Sequence, residues 1–164
     1  DRSVSRGLGD VYKRQTLVAL GLHAIYYFRT ALDIRYVIFL ALATLGADTF
    51  AYFVGRAIGK HKLNPRLSPK KTIEGSIGGI VCGGLLGLAY AYCVQIPYSL
   101  PYLALMSFLL ATTGQIGDLT FSSIKRTFEV KDYSQIFPGH GGVLDRFDSI
   151  IFNSMILGFL LTLL

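Results

Sequence analysis

Charge is scarce in this sequence: Asp, Glu, Lys and Arg make up only 16% of its 164 residues, while 52% are hydrophobic and the mean hydropathy is +0.49. That balance excludes an ordinary soluble domain of this length. Cysteine is nearly absent as well. Cys82 and Cys93 share one apolar stretch, where a thiol packs as a small hydrophobe and a disulfide framework has no loops to staple. The fingerprints of soluble nucleotide loops are missing too: "GRAIGKH", from Gly55, has the wrong glycine spacing and no Ser or Thr after Gly59 and Lys60, so it is not a Walker loop. What the sequence does have is apolar segments long enough to cross the roughly 30 Å hydrocarbon layer, which takes about 20 helical residues. The expected fold is all-α, a polytopic integral membrane helical bundle with cytoplasmic polar loops.

Residues 1–15, "DRSVSRGLGDVYKRQ", differ abruptly in composition from the rest of the chain and look like translated adapter sequence, so they are set aside as non-native. On that reading the native protein begins upstream, and residues 16–164 form a C-terminal membrane domain of about five helices. The first helix is partial, over 16–28; the others cover 36–58, 76–96, 102–121 and 143–164. Polar loops at 59–75 and 122–142 are separated by two spans and therefore share a face. The first holds Lys60, Lys62, Arg66, Lys70 and Lys71, the second Lys125, Arg126 and Lys131, and basic loops stay cytoplasmic. A net charge of +6 in so apolar a chain points to a phosphate-rich membrane surface and ligand, with membrane lipid and no nucleic acid as partner. Glycines at 75, 79, 83 and 87 have the small-xxx-small spacing of closely packed membrane helices, within a subunit or between the subunits of a homodimer.

Three aspartates invite chemistry. Asp118 lies near the end of a span, and Asp145 and Asp148, three apart, share a face at the start of the last helix. A carboxylate in a membrane helix costs on the order of 3 kcal/mol and tends to line a polar cavity. With lysines and arginines around them, the three make a candidate site for magnesium, which joins one or two carboxylates to substrate phosphates. The plainer alternative is that Asp145 and Asp148 favour a helix N-terminus and pair with Arg146 or Lys125. Asp48, near the middle of a span with only Arg56 nearby, reads either as an intramembrane site or as half of an ion pair with another helix. Gly139, Gly141 and Gly142 surround His140 just before a helix, where backbone N–H groups can approach an anion. His140 itself reads as a general acid, a phosphate donor or a turn residue, and without a Cys or His partner it does not suggest zinc.

Residues 122–148, "SSIKRTFEVKDYSQIFPGHGGVLDRFD", resemble the signature of the phosphatidate cytidylyltransferases, also called CDP-diacylglycerol synthases. The match takes in Ser122, Lys125, Arg126, Lys131, Asp132, the run Pro138 to Gly142, Asp145, Arg146 and Asp148. "GDLTFS" upstream and "ADTFAYFVGRAIGKHKLNPRLSPKKTIEGS" at 47–76 are similar to further parts of that family. Phe50 departs from the pattern where glycine is expected, and Gly114 where serine is expected. The resemblance implies an enzyme of the bacterial inner membrane, its site facing the cytoplasm, that condenses CTP with phosphatidate to CDP-diacylglycerol and pyrophosphate. It also implies Mg2+, alone or with a second cation, on Asp118, Asp145 and Asp148. Lys125 and Arg126 would hold phosphates as part of the catalytic set, together with His140. Ser68, Lys70, Lys71, Thr72, Glu74, Ser122, Lys131, Asp132, Gly141, Gly142 and Arg146 would form the substrate pocket. Two rival readings are a CTP-dependent polyprenol or phytol kinase, which transfers the γ-phosphate to an alcohol, and an ion-coupled transporter using Asp48 and Asp118.

Overall fold

A computed structural model describes residues 2–64, 68–127 and 144–163, with the side chains of residues 12, 15–64, 68, 71–125 and 147–163. Its helices are α1 (Arg2–Tyr27), α2 (Ile34–Ile58), α3 (Ile73–Cys93), α4 (Leu100–Thr127) and α5 (Leu144–Thr162). A π-helical turn, Phe28–Leu32, leads to Asp33, which caps α2 by accepting a hydrogen bond from Arg35 N at 2.8 Å. Among the described residues α2, α3 and α4 as far as Lys125 are long and apolar enough to cross a membrane, while Phe147–Thr162 of α5 is apolar but shorter. The all-α membrane bundle expected from composition is the observed fold.

The polar loops are shorter than their composition suggests. Within 59–75, β1 (Lys62–Asn64) pairs antiparallel with β2 (Ser68–Thr72), Lys62 opposite Thr72 and Asn64 opposite Ser68. Thr72 is extended and its Oγ1 accepts from Gly75 N at 3.2 Å, an N-cap that starts α3 at Ile73. Glu74 and Gly75 are therefore helical. The second loop begins later than residue 122, because α4 continues to Thr127 and carries Ser122 and Lys125 on it. Lysine and arginine are good helix formers, so the loss of apolar character at the membrane boundary does not end the helix.

Apolar burial drives little helix association in lipid, so close approach has to come from small side chains. The α3 glycines supply it against a matching row on α2. A Cβ added at Gly83 would lie 2.5 Å from Ala47 N, one at Gly75 2.5 Å from Ala51 O, and one at Gly87 2.9 Å from Ala43 Cβ. The glycine stripe is thus taken up inside the subunit. Phe39, Leu40, Met106, Leu110 and Leu157 fill the core between helices. A buried polar knot also ties α2, α4 and α5 together: Asn153 Nδ2 donates to Thr44 Oγ1 and to Leu110 O, both at 2.7 Å, and Thr113 Oγ1 donates to Asn153 Oδ1 at 2.7 Å. Gly114 makes room for it, since a Cβ there would stand 2.8 Å from Asn153 Nδ2.

Neighbouring helices run in alternating directions. At one end Arg35 Nη1, at the start of α2, donates to Val94 O, just after α3, at 3.0 Å, and Tyr102 OH near the start of α4 donates to Leu160 O of α5 at 2.8 Å. The ends of α2 and α4 and the beginnings of α3 and α5 consequently gather at the other end, beside the β-hairpin.

Candidate active site

At that end lies a cavity of about 570 Å³. One face of α2 forms a wall, presenting Asp48, Ala51, Tyr52, Gly55 and Arg56 at helical spacing. The hairpin contributes Lys62, Ser68, Lys71 and Thr72, while α3 adds Ser76, α4 Asp118, and α5 Asp148 and Ser149. Carboxylates gather on the helices and basic groups toward the hairpin.

The hairpin is fixed by two devices. Glu74, in the first turn of α3, reaches back so that its carboxylate accepts from Lys60 N at 3.1 Å and from His61 N at 3.2 Å, and pairs with His61 Nδ1 at 2.6 Å. Thr72 is wedged where α2 has no side chains: a Cβ at Gly55 would stand 2.7 Å from Thr72 Oγ1. Lys71, the residue before it, extends into the cavity and its Nζ forms an ion pair with Asp118 Oδ2. Lys71 Nζ is buried and has no hydrogen-bond partner apart from that pair.

Asp118 also accepts from Ser122 Oγ one turn along α4, at 3.4 Å. Asp148 is 4% exposed and accepts from Ser149 N at 2.8 Å. The like charges of Asp118 and Asp48 face it, opposed by Lys125. Asp48 in turn lies within the electrostatic reach of Lys71 and Asp118. Below the carboxylates Ser76 Oγ donates to Gln115 Oε1 at 2.6 Å, and Gln115 Nε2 returns a bond to Ser76 O at 3.1 Å, locking α3 to α4.

Of the site residues expected from sequence, the structure brings Asp118, Asp148, Ser68, Lys71 and Thr72 to one cavity. Ser122 adjoins it through Asp118, and Lys125 through its charge on Asp148. The Glu74 carboxylate is occupied by the hairpin backbone and His61. Lys70, Arg126, Asp145 and Arg146 lie on β2, α4 and α5, their side chains outside the described set; Lys131, Asp132, His140, Gly141 and Gly142 fall outside the described residues altogether. Sequence reasoning did not place Tyr52, Arg56, Lys62, Ser76 or Ser149 in the site. For Tyr52 and Arg56 a signal existed, because they follow Asp48 at i+4 and i+8 on one helical face.

The donor set suits magnesium. Asp118 and Asp148 offer hard oxygen ligands on one cavity, and Asp118 already carries a cation in the form of the Lys71 ammonium. Among the described residues no three acidic, His or Cys side chains converge as one ligand group. Two carboxylates completed by substrate phosphates is the arrangement magnesium commonly adopts.

Comparison with known proteins identifies the family. A family model described as "Cytidylyltransferase family" matches residues 15–164. The chain is 45% identical over 143 residues to a phosphatidate cytidylyltransferase of Staphylococcus epidermidis, covering 87% of this chain and 55% of the relative. It is 45% identical over 130 residues to that of Bacillus subtilis, covering 79% and 48%, and 42% identical over 143 residues to that of Staphylococcus aureus, covering 87% and 55%. It therefore spans about half the length of the curated relatives it matches.

Proposed function

Because this chain belongs to the cytidylyltransferase family, we propose that its cavity is the site where CTP and phosphatidate condense to CDP-diacylglycerol and pyrophosphate. The observation that carries the reading is the meeting of Asp118 and Asp148 with Lys71, Lys62 and Arg56 around one cavity at the hairpin end of a membrane bundle. In this reaction a phosphatidate oxygen attacks the α-phosphorus of CTP, forming one P–O bond while the bond to the bridging oxygen breaks, and pyrophosphate leaves with that oxygen. The nucleophile is already an anion, so the barrier lies in bringing polyanions together and stabilising the leaving group.

The chain's residues meet those needs by charge and position. Asp118 and Asp148, with Asp145 on the same helix as Asp148, would hold Mg2+, alone or as one of two cations. Bound there, it would neutralise phosphate charge and stabilise the departing pyrophosphate. Arg56 can grip phosphate bidentately, with its Nη1 held by Tyr52 OH at 3.2 Å, and Lys62 and Lys71 add point charges. The N-terminal ends of α3 and α5 both point to this end of the bundle and add partial positive charge. The lysines of the hairpin support a cytoplasmic position for this end, since basic loops tend to stay on that side; CTP would enter from water there while the acyl chains of phosphatidate remain in lipid.

Radiolabelled CTP tests the reading in vesicles containing phosphatidate. Label from the α-phosphate should enter lipid with magnesium present. Lipid label from the γ-phosphate alone would identify a kinase, and no lipid label would remove the transferase reading.

A further inference from the structure

Lys71 Nζ is buried, has Asp118 as its ion-pair partner and makes no hydrogen bond to any other described group. An ammonium has three donors, so this lysine is under-used where it sits. Its anchorage is otherwise firm: Thr72, the next residue, caps α3, and β2 is paired to β1. Mobility is therefore confined to the four-carbon stem. The side chains of Lys71 and Asp118 are 23% and 27% exposed, so neither is sealed in place.

We propose that Lys71 is the resident counter-ion of Asp118, and that a divalent cation displaces it so that its ammonium passes to substrate phosphate. The proposal rests on the cytidylyltransferase reading of this cavity. Asp118 Oδ2 cannot serve both cations at contact distance, because a dication and an ammonium sharing one carboxylate oxygen repel each other in a partly desolvated site. A freed ammonium is then close to where the phosphates that complete the metal's coordination must lie. Lysine suits the exchange better than arginine, being a compact charge on a flexible stem rather than a bidentate fork. The exchange also keeps Asp118 neutralised at every stage, which matters where an unpaired carboxylate is costly.

The test uses Mn2+ alone as probe, with the detergent-purified chain and no nucleotide, reading free Mn2+ by electron paramagnetic resonance. Removing the competitor in Lys71→Met should tighten Mn2+ binding by about fivefold, the equilibrium equivalent of a partly exposed ion pair. Lys71→Gln, which keeps a polar head on a long stem, should tighten it similarly and stands in should the methionine variant fail to fold. Lys71→Arg should bind no more tightly than wild type. Unchanged or weaker Mn2+ binding in the two neutral variants overturns the exchange, as does equal tightening in Lys71→Arg. Asp118→Asn separates the two levels. If it abolishes a Mn2+ affinity that wild type and Lys71→Met share equally, the metal site stands and only the exchange fails; Mn2+ binding to none of the proteins overturns both.

Discussion

Asp118 and Asp148 come from different helices, yet each is held by its own local donor: Ser122 Oγ one turn on for Asp118, and the adjacent Ser149 N for Asp148. These donors fix the carboxylates without neutralising them. Asp118→Asn and Asp148→Asn keep the shape and remove the charge, and each should lower turnover by more than about 100-fold at saturating magnesium, while the elution volume in detergent stays unchanged. Glu74 acts at one remove. Its carboxylate holds Lys60 N, His61 N and the His61 ring, so Glu74→Ala should loosen the hairpin that carries Lys71, raising KM for CTP more than it lowers kcat. Glu74→Gln retains a carbonyl oxygen for the backbone donors and should recover most of the loss, which steady-state kinetics of the pair will show. The aspartates were legible in the sequence because a carboxylate among apolar residues stands out. Asp48 was legible as an intramembrane site or half of an ion pair, but its basic neighbour was not, since the lysine whose charge acts on it lies 23 positions later, beyond a turn that periodicity cannot count through.

Helix pairing explains why those side chains meet. The glycine stripe of α3 was readable as a close-packing surface, but its counterpart, Ala43, Ala47 and Ala51 on α2, was hidden because alanine is unremarkable in an apolar span. The α2–α3 approach sets the depth at which Asp48 faces the hairpin. At Gly83 the approach is against main chain, and Gly83→Ala would press a methyl group onto Ala47 N, which cannot rotate away. That substitution should cost about 1–3 kcal/mol, seen as a lowered thermal midpoint in detergent, with activity lost in parallel. Gly114, read from sequence as a departure where serine is expected, has a structural reason in the Asn153 amide packed against it. The hairpin escaped detection because its strands are only three and five residues long, too short for a period of two to show among lysines and prolines.

At the scale of the molecule, composition alone carried the fold class, since a chain this apolar with regularly spaced spans has few alternatives to a helical bundle. What composition could not give is the gathering of one wall from α2, two helix beginnings and a basic hairpin into a cavity of about 570 Å³. That arrangement joins an apolar bundle to a charged mouth and gives the +6 net charge a place to act. The central claim is that cytidylyl transfer happens in this cavity. Its most direct test is the initial rate at which α-phosphate label from CTP enters lipid in phosphatidate vesicles, for wild type and Asp148→Asn side by side. Magnesium-dependent transfer by wild type, with the variant more than about 100-fold slower, is the predicted result; equal rates for the two proteins would contradict it.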